Sequence, residues 1–342
     1  MRLVVKPFSQ KEWTDIVSGF QDLSLVQTWE YAEAKARTGS WEVWRALVAQ
    51  GDRAIGAVQS LVWKIPLIGG GLVWINRGPL WRRSENEDPV LLRALMEELR
   101  LYWVRDHGMY LRIAPAIHEG DSGSGSLEGN GYRPADGCPG WASARLDLFQ
   151  TIESLRNQLD QKWRNCLNKA ERLGITVDCG SDSEFSDALS SYERLLQERK
   201  YQTSVTPQLL SRLQSLLPVE RKLLAFVGRQ SGQELGGILI AKYGETCEYL
   251  VGAINEAGRS ANAGNLLLWQ SICQAKSIGC RWFDLGGLDR KRTPEGILHF
   301  KRGLGGIGYR LVSELEAHDG GWRCRAVRWR VRKALDSPGE QA

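Results

Sequence analysis

The stretch Arg281–Tyr309, RWFDLGGLDRKRTPEGILHFKRGLGGIGY, concentrates residue types that can do chemistry. An apolar strand, Arg281 to Leu285, runs into Gly286 and Gly287, then a basic loop, a short segment ending in His299, Phe300 and Lys301, and a glycine-rich turn. Glycines at a strand end let the backbone approach a ligand closely or adopt positive φ. A lysine delivered beside them can face developing negative charge. A solvated hairpin with a surface lysine is the commoner fate of any single Lys. The neighbours argue against it here. Arg290, Lys291, Arg292, Lys301 and Arg302 are offset only by Asp289 and Glu295, so the local field suits an anionic substrate. The four histidines (His107, His118, His299, His318) are dispersed, and no Ser-His-Asp or Cys-His arrangement stands out to suggest a covalent enzyme intermediate.

The elements that must position these residues follow from periodicity. Arg2–Pro7 reads as a strand, Lys11–Val17 and the segment around Trp29, Tyr31, Ala32 and Lys35 as helices, and 41–49, 53–63 and 71–76 as three antiparallel strands. Asp88–His107 carries Leu91, Leu92, Leu95, Leu99, Tyr102 and Trp103 at helical spacing; the strands Met109–Ile113 and Trp141–Leu148 close the first half. A helix Ile152–Leu173, a strand at 175–179, helices at 184–200 and 207–217, a second three-stranded meander (222–227, 235–242, 246–253), a helix Asn265–Ile278 and the strand Arg281–Leu285 follow. Both halves share one order, strand, two helices, three strands, helix, strand, which suggests a duplicated α+β unit. A basic segment, Trp322–Leu335, with six Arg or Lys interleaved with Trp and Val, ends the pattern as a helix that suits solvent, RNA phosphates or anionic lipid.

The 342 residues are enough for two domains, expected at 1–150 and 151–320 with the basic helix and tail at 321–342. Composition is that of a globular protein, and a net charge of +5 permits phosphate-bearing partners. Seven scattered cysteines without a C-x-x-C pair argue for reduced thiols and against a zinc site, and no metal is expected. With no apolar run of about 18 residues, a cytoplasmic location is expected, a peripheral membrane contact staying open.

In this frame the chain resembles the Fem family of peptidoglycan peptidyl aminoacyltransferases. The fragments that carry the resemblance are Gln27-Thr28-Trp29 with Lys35, Asn76-Arg77-Gly78-Pro79, KWRNCLNKAERLGI, Leu266-Leu267-Leu268-Trp269, Phe283-Asp284-Leu285-Gly286-Gly287, and His299-Phe300-Lys301 before Gly303 and Gly305-Gly306. The resemblance implies an α+β fold of two tandem acyl-CoA N-acyltransferase-like (GNAT-like) domains, each a mixed, mainly antiparallel sheet flanked by helices. It also implies the compact type without a coiled-coil arm, a monomer, and no CoA or other cofactor.

The implied activity is transfer of an amino acid from aminoacyl-tRNA to the peptide side chain of a UDP-linked or lipid-linked muropeptide. Lys35 and Arg199 would then bind the precursor's phosphates, and Trp29 and Arg77 the substrate. Lys301, following Phe300, would stabilise the oxyanion, with Tyr249 lining the same channel; Arg290, Lys291, Arg292 and Arg302 would meet tRNA. The chain departs from the family at Arg112-Ile113-Ala114-Pro115, where an acidic residue is common in place of Ala114, and at Gln197, where Thr is frequent. Two alternatives stand beside this activity: an acyl-CoA-dependent N-acyltransferase acting on a sugar, antibiotic or lipid precursor, and a non-catalytic RNA- or precursor-binding protein.

Overall fold

The computed structural model describes residues 2–336 except 52, 67–68, 84–87, 122, 125–126, 128–130, 201–202 and 291–292. In chain order the elements are β1 (Arg2–Val5), α1 (Gln10–Val17), α2 (Trp29–Arg37), β2 (Glu42–Gln50), β3 (Arg53–Lys64), β4 (Gly71–Asn76), α3 (Pro89–Arg100), β5 (Tyr110–Ala114) and β6 (Arg133–Pro134). Next come β7 (Ala142–Asp147), α4 (Ile152–Asn157), α5 (Gln161–Arg172), β8 (Thr176–Gly180), α6 (Ser183–Arg199), α7 (Pro207–Leu216), β9 (Leu224–Gln230), β10 (Gln233–Tyr243) and β11 (Thr246–Ile254). The chain finishes with α8 (Glu256–Ser260), α9 (Ala263–Ser277), β12 (Trp282–Asp284), α10 (Glu295–Arg302), β13 (Ile307–Arg310), β14 (Leu315–Ala317) and α11 (Trp322–Asp336).

Two compact units result, one from Met1–Trp141 with Arg310–Ser337, the other from Ala142–Tyr309. The first holds a seven-stranded sheet in the order β1-β2-β3-β4-β5-β14-β6, in which β4 and β5 run parallel. α3 starts at the Asp88 cap with Pro89 in its first turn and buries Leu92, Leu95, Met96 and Leu99 against that sheet's core. The second unit has the sheet β13-β7-β12-β11-β10-β9-β8, with β11 and β12 parallel. On it lie α5 and α9, whose Trp163, Leu167, Leu267, Trp269 and Ile272 share one core with Phe226, Ile238 and Phe283. The α+β class and the mixed, mainly antiparallel sheets agree with expectation.

Three expectations need correction. The strand near 141–148 was expected to close the first half, yet β7 pairs antiparallel with β12 in the second sheet. The reason is edge satisfaction. β12 has one parallel neighbour in β11 and needs a second partner for its other row of amides, and β7 provides it while burying Ala144 and Leu146 in the second core. The chain then returns to the first unit, where β14 fills the corresponding place beside β5 and α11 packs Cys324 and Val327 on Leu72 and Tyr110. The boundaries at 150 and 320 accordingly shift to 141 and 309, and the basic helix is no separate segment. Finally, the helix expected over 152–173 breaks in two. Thr151 caps α4, and between the two helices the Asp160 amide donates to the Gly303 carbonyl (2.9 Å), a tertiary bond that local periodicity does not foretell.

Candidate active site

In the second unit β11 and β12 run side by side only from Thr246/Trp282 to Glu248/Asp284. Beyond that register the ladder ends. β11 continues to Ile254 with a bulge at Leu250 in its pairing with β10, while the other strand turns away through Gly286 in a left-handed conformation (φ 69°). That φ asks for glycine, as does space: a Cβ there would lie 2.8 Å from the Tyr249 carbonyl oxygen and 3.4 Å from Lys301 Nζ. The bulge and the glycine thus bring Lys301 beside Tyr249 of β11 and the Gly286-Gly287 turn that follows β12.

Lys301 comes from α10, a helix where the sequence reading named only a short segment. Its apolar stripe fixes the direction: Leu298 is buried and the chain turns at Gly303, so Lys301 points inward, 7% exposed. Nζ donates to the Gly287 carbonyl (3.2 Å) and stands 5.0 Å from the centre of the Tyr249 ring. Burial pushes its pKa down to about 8, against the pull of Asp284 and Glu248, which favour the charged form. The outcome is an ammonium that is mostly charged at pH 7 and poorly solvated, hence a strong electrostatic partner for an anion arriving at the same place.

Asp284 is the residue that sequence reasoning passed over. It is buried; Oδ1 accepts from the Ser143 hydroxyl (2.6 Å) and the Gly286 amide (2.8 Å), and Oδ2 from the Tyr309 hydroxyl (2.5 Å). The signal was present as a carboxylate inside the apolar run Trp282-Phe283-Asp284-Leu285, a placement seldom found without partners. Around it Tyr243 donates to Glu248 (2.9 Å), and the Arg145 guanidinium lies over the Trp282 ring at 4.2 Å.

Among the expected site residues of this unit, Lys301 and Tyr249 meet. Phe300 is half-buried beside Trp163 (ring centres 6.0 Å apart), and its carbonyl accepts from the Trp163 indole (2.9 Å), so its contacts anchor α10. Arg199 ends α6 and is exposed, as are Arg290 and Arg302; Lys291 and Arg292 lie outside the described residues.

In the first unit the Gln27-Thr28-Trp29 segment is a strut. Buried Gln27 donates to the carbonyls of Asn76 (2.7 Å) and Gln59 (3.1 Å) and accepts from the Gln59 amide (3.1 Å), tying the start of α2 to β3 and β4. Trp29 lies under the Arg45 guanidinium (3.5 Å to the ring centre), whose pKa burial pushes down to about 10. Lys35 is half-buried, one turn beyond Tyr31 on α2. Tyr31, Gln27, Gln59, Trp74 and Asn76 line a cleft of about 20 Å³, room for a water and not for a substrate. Arg77 (φ 55°) donates its amide to the Ala114 carbonyl (2.7 Å) and holds its guanidinium 4.9 Å from the Trp141 ring centre. Gln27→Leu is expected to leave the amide of Gln59 and the carbonyl of Asn76 unpaired and cost about 1–3 kcal/mol for each orphaned group. Chemical denaturation checks it; an unchanged midpoint would leave substrate contact as the role of the segment.

Residues 153–302 match the family model described as Acetyltransferase (GNAT) domain. No curated protein matches the chain. Among solved structures it is similar to FemX, at 16% identity over 92% of this chain and 97% of that one, with a TM-score of 0.77. It also resembles the C-terminal domain of a lysylphosphatidylglycerol synthetase from Agrobacterium fabrum (13% identity, 98% and 100% coverage, TM-score 0.55). A third neighbour is a tandem GNAT protein from the clavulanic acid biosynthesis pathway (14%, 94% and 99%, TM-score 0.51). The expected twin GNAT-like fold of the FemX kind is borne out, as is, through the domain match, an acyltransferase.

Proposed function

We propose that the chain is an aminoacyltransferase that moves an amino acid from aminoacyl-tRNA to the peptide side chain of a UDP-linked or lipid-linked peptidoglycan precursor. The observation that carries this reading is the buried ammonium of Lys301 beside Tyr249 of β11 and the Gly286-Gly287 turn after β12. In the reaction the acceptor amine attacks the ester carbonyl, the C–N bond forms, and charge collects on the carbonyl oxygen opposite Lys301. The C–O bond to the tRNA ribose then breaks and the ribose oxygen leaves with a proton. The amine's own proton passes to water or to the substrate, so Ala114 in place of a carboxylate is compatible with turnover. An ester needs chiefly placement and charge stabilisation for aminolysis. Tyr249 and Gly286 shape the wall beside Lys301, and Asp284 and Phe300 position it. Lys35 in the first unit, a point charge, and Arg199 in the second, a planar fork, are the cations that the family resemblance assigns to the precursor's phosphates. Exposed Arg290 and Arg302 suit tRNA phosphates. Trp29 and Arg77 act on the substrate side of the first unit through the loops they brace.

The test is a mass shift on muropeptide incubated with the protein and a set of charged tRNAs; absence of product with every pair overturns the reading. A pH profile adds a second check. If protonated Lys301 supplies the charge, kcat falls as pH rises through about 8, and Lys301→Met has no such limb. The acetyltransferase domain match keeps one rival, acyl transfer from CoA. Calorimetry decides: heat of binding from acetyl-CoA with none from aminoacyl-tRNA replaces the donor.

A further inference from the structure

Helix α11 has two faces of opposite kind. Helical spacing puts Cys324, Val327, Arg328, Val331 and Arg332 on one side. There Cys324 and Val327 are buried, Arg328 pairs with Glu316 (2.6 Å) and Asp136 (3.4 Å), and Arg332 with Asp136. This side is neutralised and docked. The opposite side carries Trp322 and Trp329, 60% and 65% exposed. They lie seven residues apart on one stripe, about 10 Å along the axis. Arg323, Arg325, Arg330 and Lys333 surround them and are exposed. Among the described residues no carboxylate pairs with Arg323, Arg325 or Arg330. Several of these cations rest over indoles instead: Arg323 over Trp322 (5.6 Å), Lys333 over Trp329 (5.4 Å) and Arg330 over Trp63 (5.4 Å).

Two exposed indoles beside three arginines that have no carboxylate partner among the described residues contribute nothing to the core. An indole has an apolar body and one N–H donor, which suits the headgroup zone of a bilayer, and lipid phosphates complement the surrounding charge. RNA would complement the charge too, but strand binders use a groove that tracks the backbone, with successive bases stacked in it. A single helix docked by its back presents a convex ridge with both aromatics on one line. No helix of the described residues is long and apolar enough to cross a membrane, so the contact is interfacial.

We propose that the outer face of α11 seats on an anionic lipid bilayer, with Trp322 and Trp329 among the headgroups and Arg323, Arg325, Arg330 and Lys333 on lipid phosphates. The proposal stands apart from the transfer reaction, because vesicle binding needs no turnover. In a flotation assay the full chain is expected to rise with phosphatidylcholine vesicles containing phosphatidylglycerol, to stay down with phosphatidylcholine alone, and to release as salt is raised. Trp322→Ser with Trp329→Ser should weaken partition by about tenfold or more at an unchanged unfolding midpoint, since both side chains are exposed. Arg325→Gln and Lys333→Gln should each weaken it by about fivefold. Failure of the parent to float with the anionic vesicles, or full flotation of the double Trp variant, overturns the proposal. So does loss of single-stranded RNA binding in that variant when neither protein floats, which would make RNA the occupant.

Discussion

Lys301→Met is expected to lower the transfer rate constant by about 10²–10³-fold and, at the same time, to raise resistance to denaturant. The two effects have one cause. The ammonium is buried, with one carbonyl and one aromatic ring as neighbours, so the charged form is disfavoured in the resting protein. A thioether of similar length removes that cost. With a folded pKa of about 8 against 10.5 when unfolded, the charge costs about 3 kcal/mol below pH 8, of which the variant recovers a part. The sign can be followed in the parent. Between about pH 8 and 10.5 the unfolded chain holds the proton that the native state has released, so stability climbs with pH across that window. In Lys301→Met that climb disappears. Urea titrations of both proteins at pH 7 and pH 10, alongside single-turnover transfer, measure the whole set. A lysine kept only for structure gives the opposite pattern, a variant that is less stable and still active.

Asp284→Ala is the second large effect, a loss of about 3–5 kcal/mol in stability together with activity. The substitution removes the carboxylate that accepts from Ser143, Tyr309 and the Gly286 amide; Ser143 keeps the Gly286 carbonyl (2.7 Å) as an acceptor, so the loss falls on the Gly286 amide and the Tyr309 contact. It also removes the nearest carboxylate that favours the charged form of Lys301. Asp284→Asn separates the roles. It keeps shape and part of the bonding, so stability suffers less, but the amide no longer supports the ammonium, and the high-pH limb of kcat moves below 8. A limb that stays in place in Asp284→Asn would reduce Asp284 to a brace for the Gly286 turn.

The reach of sequence reasoning differs from residue to residue for physical reasons. The three strands of each meander and most of the long helices, 152–173 excepted, were legible because two- and 3.6-residue periods are local properties. Lys301 was legible because glycines and cations crowd the same short stretch. Tyr249 and Lys301, more than fifty residues apart, meet because β11 and β12 pair in parallel, and the resemblance to the Fem family, more than any local pattern, anticipated that. The Gln27 motif was noticed for its letters, while its part as a strut between β3 and β4 emerged only from buried carbonyls that needed a donor.

Taken alone, the order of residues determined the class of the fold, the two-fold repetition of its elements, and a segment where glycines and cations crowd together, since these rest on spacing and on side-chain chemistry. Tertiary structure decided which sheet received β7 and which received β14, that Lys301 stands on a helix and loses its water, and that α11 hides one arginine face and shows another. Those outcomes depend on which strand edges and buried charges find partners across long stretches of chain, and a partner's identity is not written in the local pattern that calls for it.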